Sequence, residues 1–375
     1  MARQGSLGYQ GFQRVIRLSA VVAIALVLTG MVVAGTLSNQ ASLAVAHSAN
    51  NRVGSNASAR TASGASRMID AFLDLNQERY REALVRTRRW LDTLEINPTD
   101  LRAHGIKGKK KLAELLDVYL RLHDVALADD KKALSERIRS IMAITATPGY
   151  HDMLRVTDKQ FKEDSTSYLR VAFLMDRFGL DTKLYRREML KVLPRLNDHM
   201  KYRGSDQRMA FHLYYQHFGL KEPFPLQSAY QTGVISSRHT PAWFKQNKME
   251  MYNLTHEIFV PYEFGDKLDA AFFSEPDKAY LRLLLTDLTA YGIGQDDIDI
   301  TAELISCLRY LHFTDLPIYR ESLPYLLKSQ WPEGKWGNYE RYRGYYGDYV
   351  NQAFYLHTTL VVVDALTTAF YFRER

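Results

Sequence analysis

Asp299 and Glu303 stand four residues apart, a spacing that on a helix sends both carboxylates from one face. Cys307 continues the same stripe one turn later. His256 lies in the segment Asn253-Leu254-Thr255-His256-Glu257-Ile258-Phe259, with Glu263 shortly after it, and His357 opens a long apolar run. Two imidazoles with one or two carboxylates form a donor set for zinc or another first-row divalent metal that leaves a coordination position open. Such a centre polarises a carbonyl or lowers the pKa of water. His256, Asp299 and His357 are therefore the expected ligands, and Glu303 the expected ligand or acid/base group.

Each residue also has a structural reading. Asp296, Asp297 and Asp299 precede a helix, where a carboxylate caps free N–H groups and meets the positive end of the helix dipole. Glu303 sits among Ala302, Leu304 and Ile305, so burial without a partner would be costly. Either histidine can be a hydrogen-bonded interior residue, and Cys307, the one cysteine, suits a small core position. A second aromatic constellation runs from Asn338 to Tyr355 and includes Tyr342, Tyr345 and Tyr346, just beyond Trp336. Rings with polar tips suit sugar or peptide recognition at a cavity mouth, or simply cover a rim. Lys107 to Lys111, with four lysines, reads as a solvated helix start.

These residues need a scaffold, and the scaffold reads as helical. Apolar residues recur three and four apart in Met68-Ile69-Ala71-Phe72-Leu75 and in Leu112-Leu115-Leu116-Tyr119-Leu120. Similar stripes cover about 158–178, 183–200, 205–218, 276–291 and 298–313. Thr157-Asp158 and Asp181-Thr182 are placed as N-caps, Gly179 and Gly219 as C-terminal glycines, and most prolines fall between stripes. No alternating strand pattern stands out. About a dozen helices in sequential hairpins imply an all-α body: a bundle, a solenoid or a closed toroid.

Ahead of that body, Leu18 to Gly35 is apolar over roughly a bilayer-spanning length. Arginines precede it and small polar residues follow, which places the N-terminus inside and the body outside. The expected organisation is a cytoplasmic basic segment at 1–14, a membrane anchor or signal peptide at 15–36, a flexible linker at 37–66 and a helical domain at 67–375. Six of the seven net positive charges lie before Asp70. No acidic residue precedes Asp70, whereas six arginines do, and removing those six from 49 basic residues leaves 43 against 42 acidic ones. Nucleic-acid binding, which depends on clustered phosphate neutralisation, loses its main support.

Tyr325-Leu326-Leu327-Lys328-Ser329-Gln330-Trp331-Pro332-Glu333-Gly334-Lys335-Trp336-Gly337 resembles the Gln-Trp motif of terpenoid cyclases and related α/α toroids. Tyr355-Leu356-His357-Thr358-Thr359-Leu360 is similar to the helix start that carries a zinc-ligating His in protein prenyltransferases. The resemblance implies an irregular or incomplete α/α toroid of helical hairpins, with a structural role for the Gln-Trp loop. The stretches around His256, Asp299-Ile300-Thr301-Ala302-Glu303-Leu304 and His357-Thr358 look like an uncharacterised bacterial domain family sharing that fold. The Asp-x-Cys spacing of the prenyltransferase zinc site and the aspartate motifs of terpene cyclisation are missing. So are His-Glu-x-x-His, the phosphate loop, the dinucleotide fingerprint and the Gly-x-Ser-x-Gly elbow. The expected function is metal-assisted or acid/base catalysis on an extracytoplasmic peptide or glycan. The alternatives are a non-catalytic binding or assembly protein and a metal-free polysaccharide lyase or glycosidase.

Overall fold

The structure, a computed structural model, describes residues 54–371. The segments expected at 1–14 and 15–36 lie outside the described residues. Every described regular element is a helix or helical turn. The first, α1, runs Gly54–Leu91 and so begins inside the stretch read as linker. That stretch has no proline after residue 54, and an established helix gains one backbone hydrogen bond per added residue.

The chain continues through α2 (Pro98–Ala103), α3 (Gly108–Val125), α4 (Ala128–Thr145), α5 (Asp158–Arg177), α6 (Lys183–Met200) and α7 (Ser205–Phe218). There follow α8 (Leu226–Tyr230), α9 (Pro241–Gln246), α10 (Lys248–Phe259), α11 (Glu275–Gly294), α12 (Ile298–Tyr310), α13 (Pro317–Lys328), α14 (Arg343–Tyr346) and α15 (Leu356–Phe370). The boundaries follow local chemistry. Thr157 accepts from the Gln160 N–H at 3.3 Å, and Ser274 with Asp277 forms a capping box at the start of α11. Gly219 ends α7 in the left-handed conformation. Of the pair Asp181-Thr182, Asp181 accepts from the Lys183 N–H at 2.9 Å, and Thr182 makes no side-chain cap bond to α6.

Six helices pack in a cyclic order: α3 on α5, α5 on α7, α7 on α10, α10 on α12, α12 on α15, and α15 back on α3. Others back them: α4 lies on α3, α6 on α5, α9 on α10, α11 on α12, and α13 on α11, α12 and α15. All thirteen residues of α12 are buried, as are nearly all of α15. Such helices are enclosed on every side, so the charged residues they carry must find partners inside. Among the described residues one helical stretch, Asn351–Phe370, is long and apolar enough to cross a membrane, but 72% of its most apolar window is buried within the protein.

The loop after α13 fastens the C-terminal helices to α1. Gln330 donates to the Ala83 carbonyl at 2.9 Å and accepts from Arg86, while Thr87 donates to the Gly334 carbonyl at 3.0 Å. Trp336 is fully buried; its indole N–H bonds the Leu326 carbonyl at 2.8 Å, closing the end of α13. Gly334 has φ 109°, and a Cβ there would lie 2.2 Å from the Arg86 carbonyl oxygen.

Candidate metal centre

α12 carries Asp299 in its first turn and Glu303 in its second, and α15 carries His357 in its first turn. Because α12 packs on α15, the three side chains meet: one donor atom from each lies within 4.8 Å of the other two. His357 Nε2 is 3.5 Å from Glu303 Oε1 and 3.9 Å from Asp299 Oδ2. Three of the four carboxylate oxygens are tied down. Asp299 Oδ1 accepts from Thr358 at 2.6 Å and Oδ2 from Tyr252 at 2.9 Å; Glu303 Oε2 accepts from Thr255 at 2.5 Å. Glu303 Oε1 is buried and has no hydrogen-bond donor. It is an orphan acceptor facing an imidazole, and such atoms in a folded protein call for an ion, a proton or a water.

The other face of His357 meets α3, where Glu114 Oε1 lies 3.0 Å from Nδ1, off the direction of a good hydrogen bond. Glu114 has no exposed side-chain surface; Lys111 donates to its Oε2 at 2.8 Å, and Lys110 approaches Oε1 at 3.5 Å. Lys109 and Lys111 are buried, at 1% and 6% exposure, so the lysine run is not the solvated helix start expected from its composition. The reason is the partners they find inside: Lys109 pairs with Asp152 and lies over the Tyr150 ring, and Lys111 donates to Glu114.

Burial opposes a charge on His357, but Asp299, Glu114 and Glu303 outweigh it and push the imidazole up to about 9. Burial likewise opposes ionisation of Glu114, and Lys111, Lys110 and His357 overcome that to hold it well below the usual carboxylate range. Glu303 also ends below its ordinary value: burial raises it, and His357, His256 and Thr255 together bring it down. The Lys111 ammonium is lowered by burial despite Glu114. The sign for stability follows. In metal-free protein the raised His357 value adds stability that is complete below about 6.5 and is lost as pH rises towards 9. Denaturation with chelator should show a fall on the order of 3 kcal/mol across that window, since one pKa unit is worth about 1.4 kcal/mol. His357→Asn should flatten it; an unchanged slope in that variant would assign the effect to other groups.

The cluster borders a cavity of about 50 Å³, with Glu303 and His357 at one part of its wall and Arg121, Tyr310 and Asp364 at another. Arg121 Nε is 3.1 Å from Asp364 Oδ1, and Tyr310 donates to Asp364 Oδ2 at 2.6 Å. Arg170 pairs with Asp117 in the same wall. His256 also lines this cavity, but stands outside the three-residue cluster, its Nδ1 3.9 Å from Asp206 Oδ2. The expected aromatic ligand site divides. Trp336 has no exposed surface, so it holds the loop together rather than facing a ligand, while Tyr342 and Tyr345 are exposed and Tyr346 is half-buried against Phe354. Tyr339 reaches inward instead, its hydroxyl 2.7 Å from Thr358 Oγ1, the donor to Asp299. Cys307 is buried, its Sγ 3.9 Å from the Thr255 carbonyl, and burial raises its thiol. Glu114, Asp117 and Arg121 were missed, although each interrupts an apolar helical stripe as Glu303 does.

Fold and site together describe, over the described residues, an all-helical body with a carboxylate–histidine cluster, buried but for part of His357, beside a cavity. The chain belongs to the family described as Domain of unknown function (DUF6895), which it matches over residues 78–366. That span holds every residue of the cluster, from Glu114 to His357. No curated protein and no solved structure matches the chain.

Proposed function

We propose that the helical body is an α/α toroid whose cavity holds a divalent first-row metal on Asp299, Glu303 and His357. In this reading it works as a metal-assisted enzyme on a peptide or glycan outside the cytoplasm. The observation that carries it is the convergence of three donor atoms within 4.8 Å, one of them a buried carboxylate oxygen without a donor. The donor set fits: two carboxylates and an imidazole suit zinc, manganese or iron, and Glu114 behind Nδ1 supplies the outer carboxylate that metal-bound histidines commonly have. Tyr252, Thr255 and Thr358 fix the two ligand carboxylates. When bound, the ion would supply Lewis acidity towards a carbonyl or a water. His256, on the cavity wall and 41% exposed, is placed to accept or return a proton beside Glu303. The cyclic packing of six helices, each backed by another element, supports the toroid. The apolar run at 18–35 and the arginines before it support a membrane tether with the body outside.

Glycosidase chemistry fits less well, because Asp299 and Glu303 share one imidazole at separations below the roughly 5–10 Å between paired catalytic carboxylates. A binding or assembly role draws on a specific feature, the 69% exposed Tyr345 at the tip of the tyrosine loop. Elemental analysis of the purified full chain separates the readings. One equivalent of a first-row metal is expected, falling at least tenfold in an Asp299→Asn/His357→Ala variant. Equally negligible metal in both proteins would remove the metal reading and leave the binding role.

A further inference from the structure

Two arginines share the wall of the solvent-open cavity with Glu303 and His357, and the fold uses them differently. Arg121, on α3, has each of its three side-chain nitrogens engaged: Nε with Asp364 at 3.1 Å, Nη1 with Asp266 at 3.1 Å, and Nη2 with the Phe264 carbonyl. Its side chain is 8% exposed. A guanidinium is all donor and no acceptor, and here its donors brace the wall. Arg170, on α5, has one acceptor among the described residues, Asp117 on α3, which takes a hydrogen bond from Nη2. Its Nε and Nη1 bond no described residue, and 25% of the side chain remains accessible.

Arg170 is nonetheless held in place. Asp117 fixes one end of its fork, and the guanidinium carbon lies 5.5 Å from the centre of the Phe264 ring, within reach of a cation–π attraction. A side chain already held loses little further freedom when a ligand arrives. The charges of this part of the wall cancel in pairs, Arg170 with Asp117 and Arg121 with Asp364. What sets Arg170 apart is therefore unused donors rather than surplus charge, and a planar fork with spare N–H groups matches a carboxylate. Phe259, Phe264, Leu360 and Val361 supply an apolar part of the same wall. They offer the hydroxyls of a sugar no partner, whereas they suit an aliphatic or aromatic side chain.

We infer that the cavity takes a peptide by a carboxylate, which Arg170 binds with the donors that Asp117 leaves unused, next to an apolar residue seated on Phe259, Leu360 and Val361. Arg170 is thus a substrate-binding residue: it holds the acidic group while the adjoining part of the peptide lies towards Glu303 and His357 on the same wall. The inference rests on the reading of the cavity as the working site and names the substrate class for it. Recognition of the carboxylate needs no metal, so it can be tested without one.

N-acetyl-leucine, which joins a free carboxylate to an apolar side chain, and N-acetyl-leucinamide, which lacks the charge, are the probes. Each is titrated into the full chain in the presence of chelator and followed by ligand-observed NMR. The acid should bind at least tenfold more tightly than the amide, as expected of hydrogen bonds to a charged group. Arg170→Gln should bring the acid down to the level of the amide and leave the amide within twofold. Asp117→Asn removes the neighbouring negative charge but keeps an acceptor for Nη2, and should tighten the acid at least threefold. If circular dichroism shows that Arg170→Gln does not fold, Asp117→Asn decides with the acid–amide ratio. Equal binding of acid and amide, or acid binding unchanged in the folded variants, overturns the inference; glucuronate binding more tightly than N-acetyl-leucine overturns the assignment to a peptide. A chain that prefers the acid yet holds no metal on elemental analysis keeps the carboxylate site and loses the metal centre, and the reverse result does the opposite.

Discussion

Zinc should raise the melting temperature of the full chain by roughly 5 °C when free metal is a hundred times its dissociation constant. Binding to the folded state alone is then worth about 2.7 kcal/mol, and a chain of this size gains roughly 2 °C per kcal/mol. His357→Ala should abolish the rise, because it removes the only nitrogen donor of the cluster. The more revealing variant is Glu114→Gln. Glu114 is not among the three converging donors, yet its Oε1 faces His357 Nδ1 at 3.0 Å. A carboxylate there orients the ring and increases its basicity, and such outer partners are worth about 10–100-fold in metal affinity. Isothermal titration should therefore show weakening by that factor with unchanged stoichiometry. A cluster that is only structural would respond differently: Glu114→Gln would lower the melting temperature with or without zinc by the same amount. Full zinc affinity in both variants would count against Asp299, Glu303 and His357 as ligands.

Trp336→Ala should be the most damaging single change in the described body, lowering stability by about 3–5 kcal/mol, the range for deleting a buried aromatic side chain. The indole is fully buried, its N–H closes α13, and the Trp336 backbone N–H bonds Thr359 Oγ1 at 3.2 Å in α15. Its loss opens a cavity and leaves the Leu326 carbonyl with only the longer bond from the Ser329 N–H, at 3.3 Å. Because Thr359 neighbours Thr358, which donates to Asp299, the damage should extend to the cluster. Gly334→Ala acts on the same loop by another route: it would set a methyl group against the Arg86 carbonyl at a backbone angle that only glycine adopts freely. It should cost about 1–3 kcal/mol. Chemical denaturation checks both, and a loss below about 1 kcal/mol for Trp336→Ala would show that the loop does not hold α13 and α15 together.

Much of the helical framework was legible because its signals are local. The stripes at 183–200 and 205–218 coincide with α6 and α7, and Thr157 and Gly219 perform the capping chemistry their types suggest. Asp299 and Glu303 were legible for the same reason, since a four-residue spacing on a helix is a local fact. That His357 would join them depended on a resemblance, for no local rule brings residue 357 to residue 303. Glu114 and Lys111 show where composition misleads. Four lysines in five positions look solvated, but Lys109 and Lys111 are buried against Asp152 and Glu114, partners that lie on other turns of the chain and that composition does not reveal. His256 illustrates the converse: its neighbours in sequence looked like those of a ligand, but the turn of α10 it occupies aims it at Asp206 and the cavity wall. The left-handed backbone at Glu263 and Phe264 was not legible, because such a conformation in these residue types is a product of tertiary restraint rather than of preference.

The approach to His357 is wound differently from the rest of α15. Asn351–Tyr355 forms a π-helical turn, with hydrogen bonds closing one residue farther along than in an ordinary helix. Such a turn amounts to one surplus residue accommodated without breaking the rod, and each residue of an α-helix advances the chain by about 100° around its axis. Excising one residue there would restore regular winding and alter the angular phase between the tyrosine loop and the imidazole by that amount. Either the loop would lose its seat or His357 would swing away from Asp299 and Glu303. The bearing of the imidazole is thus set by the length of a five-residue coil, so a lineage could gain or forfeit the cluster through a single codon of insertion or deletion while keeping all three side chains.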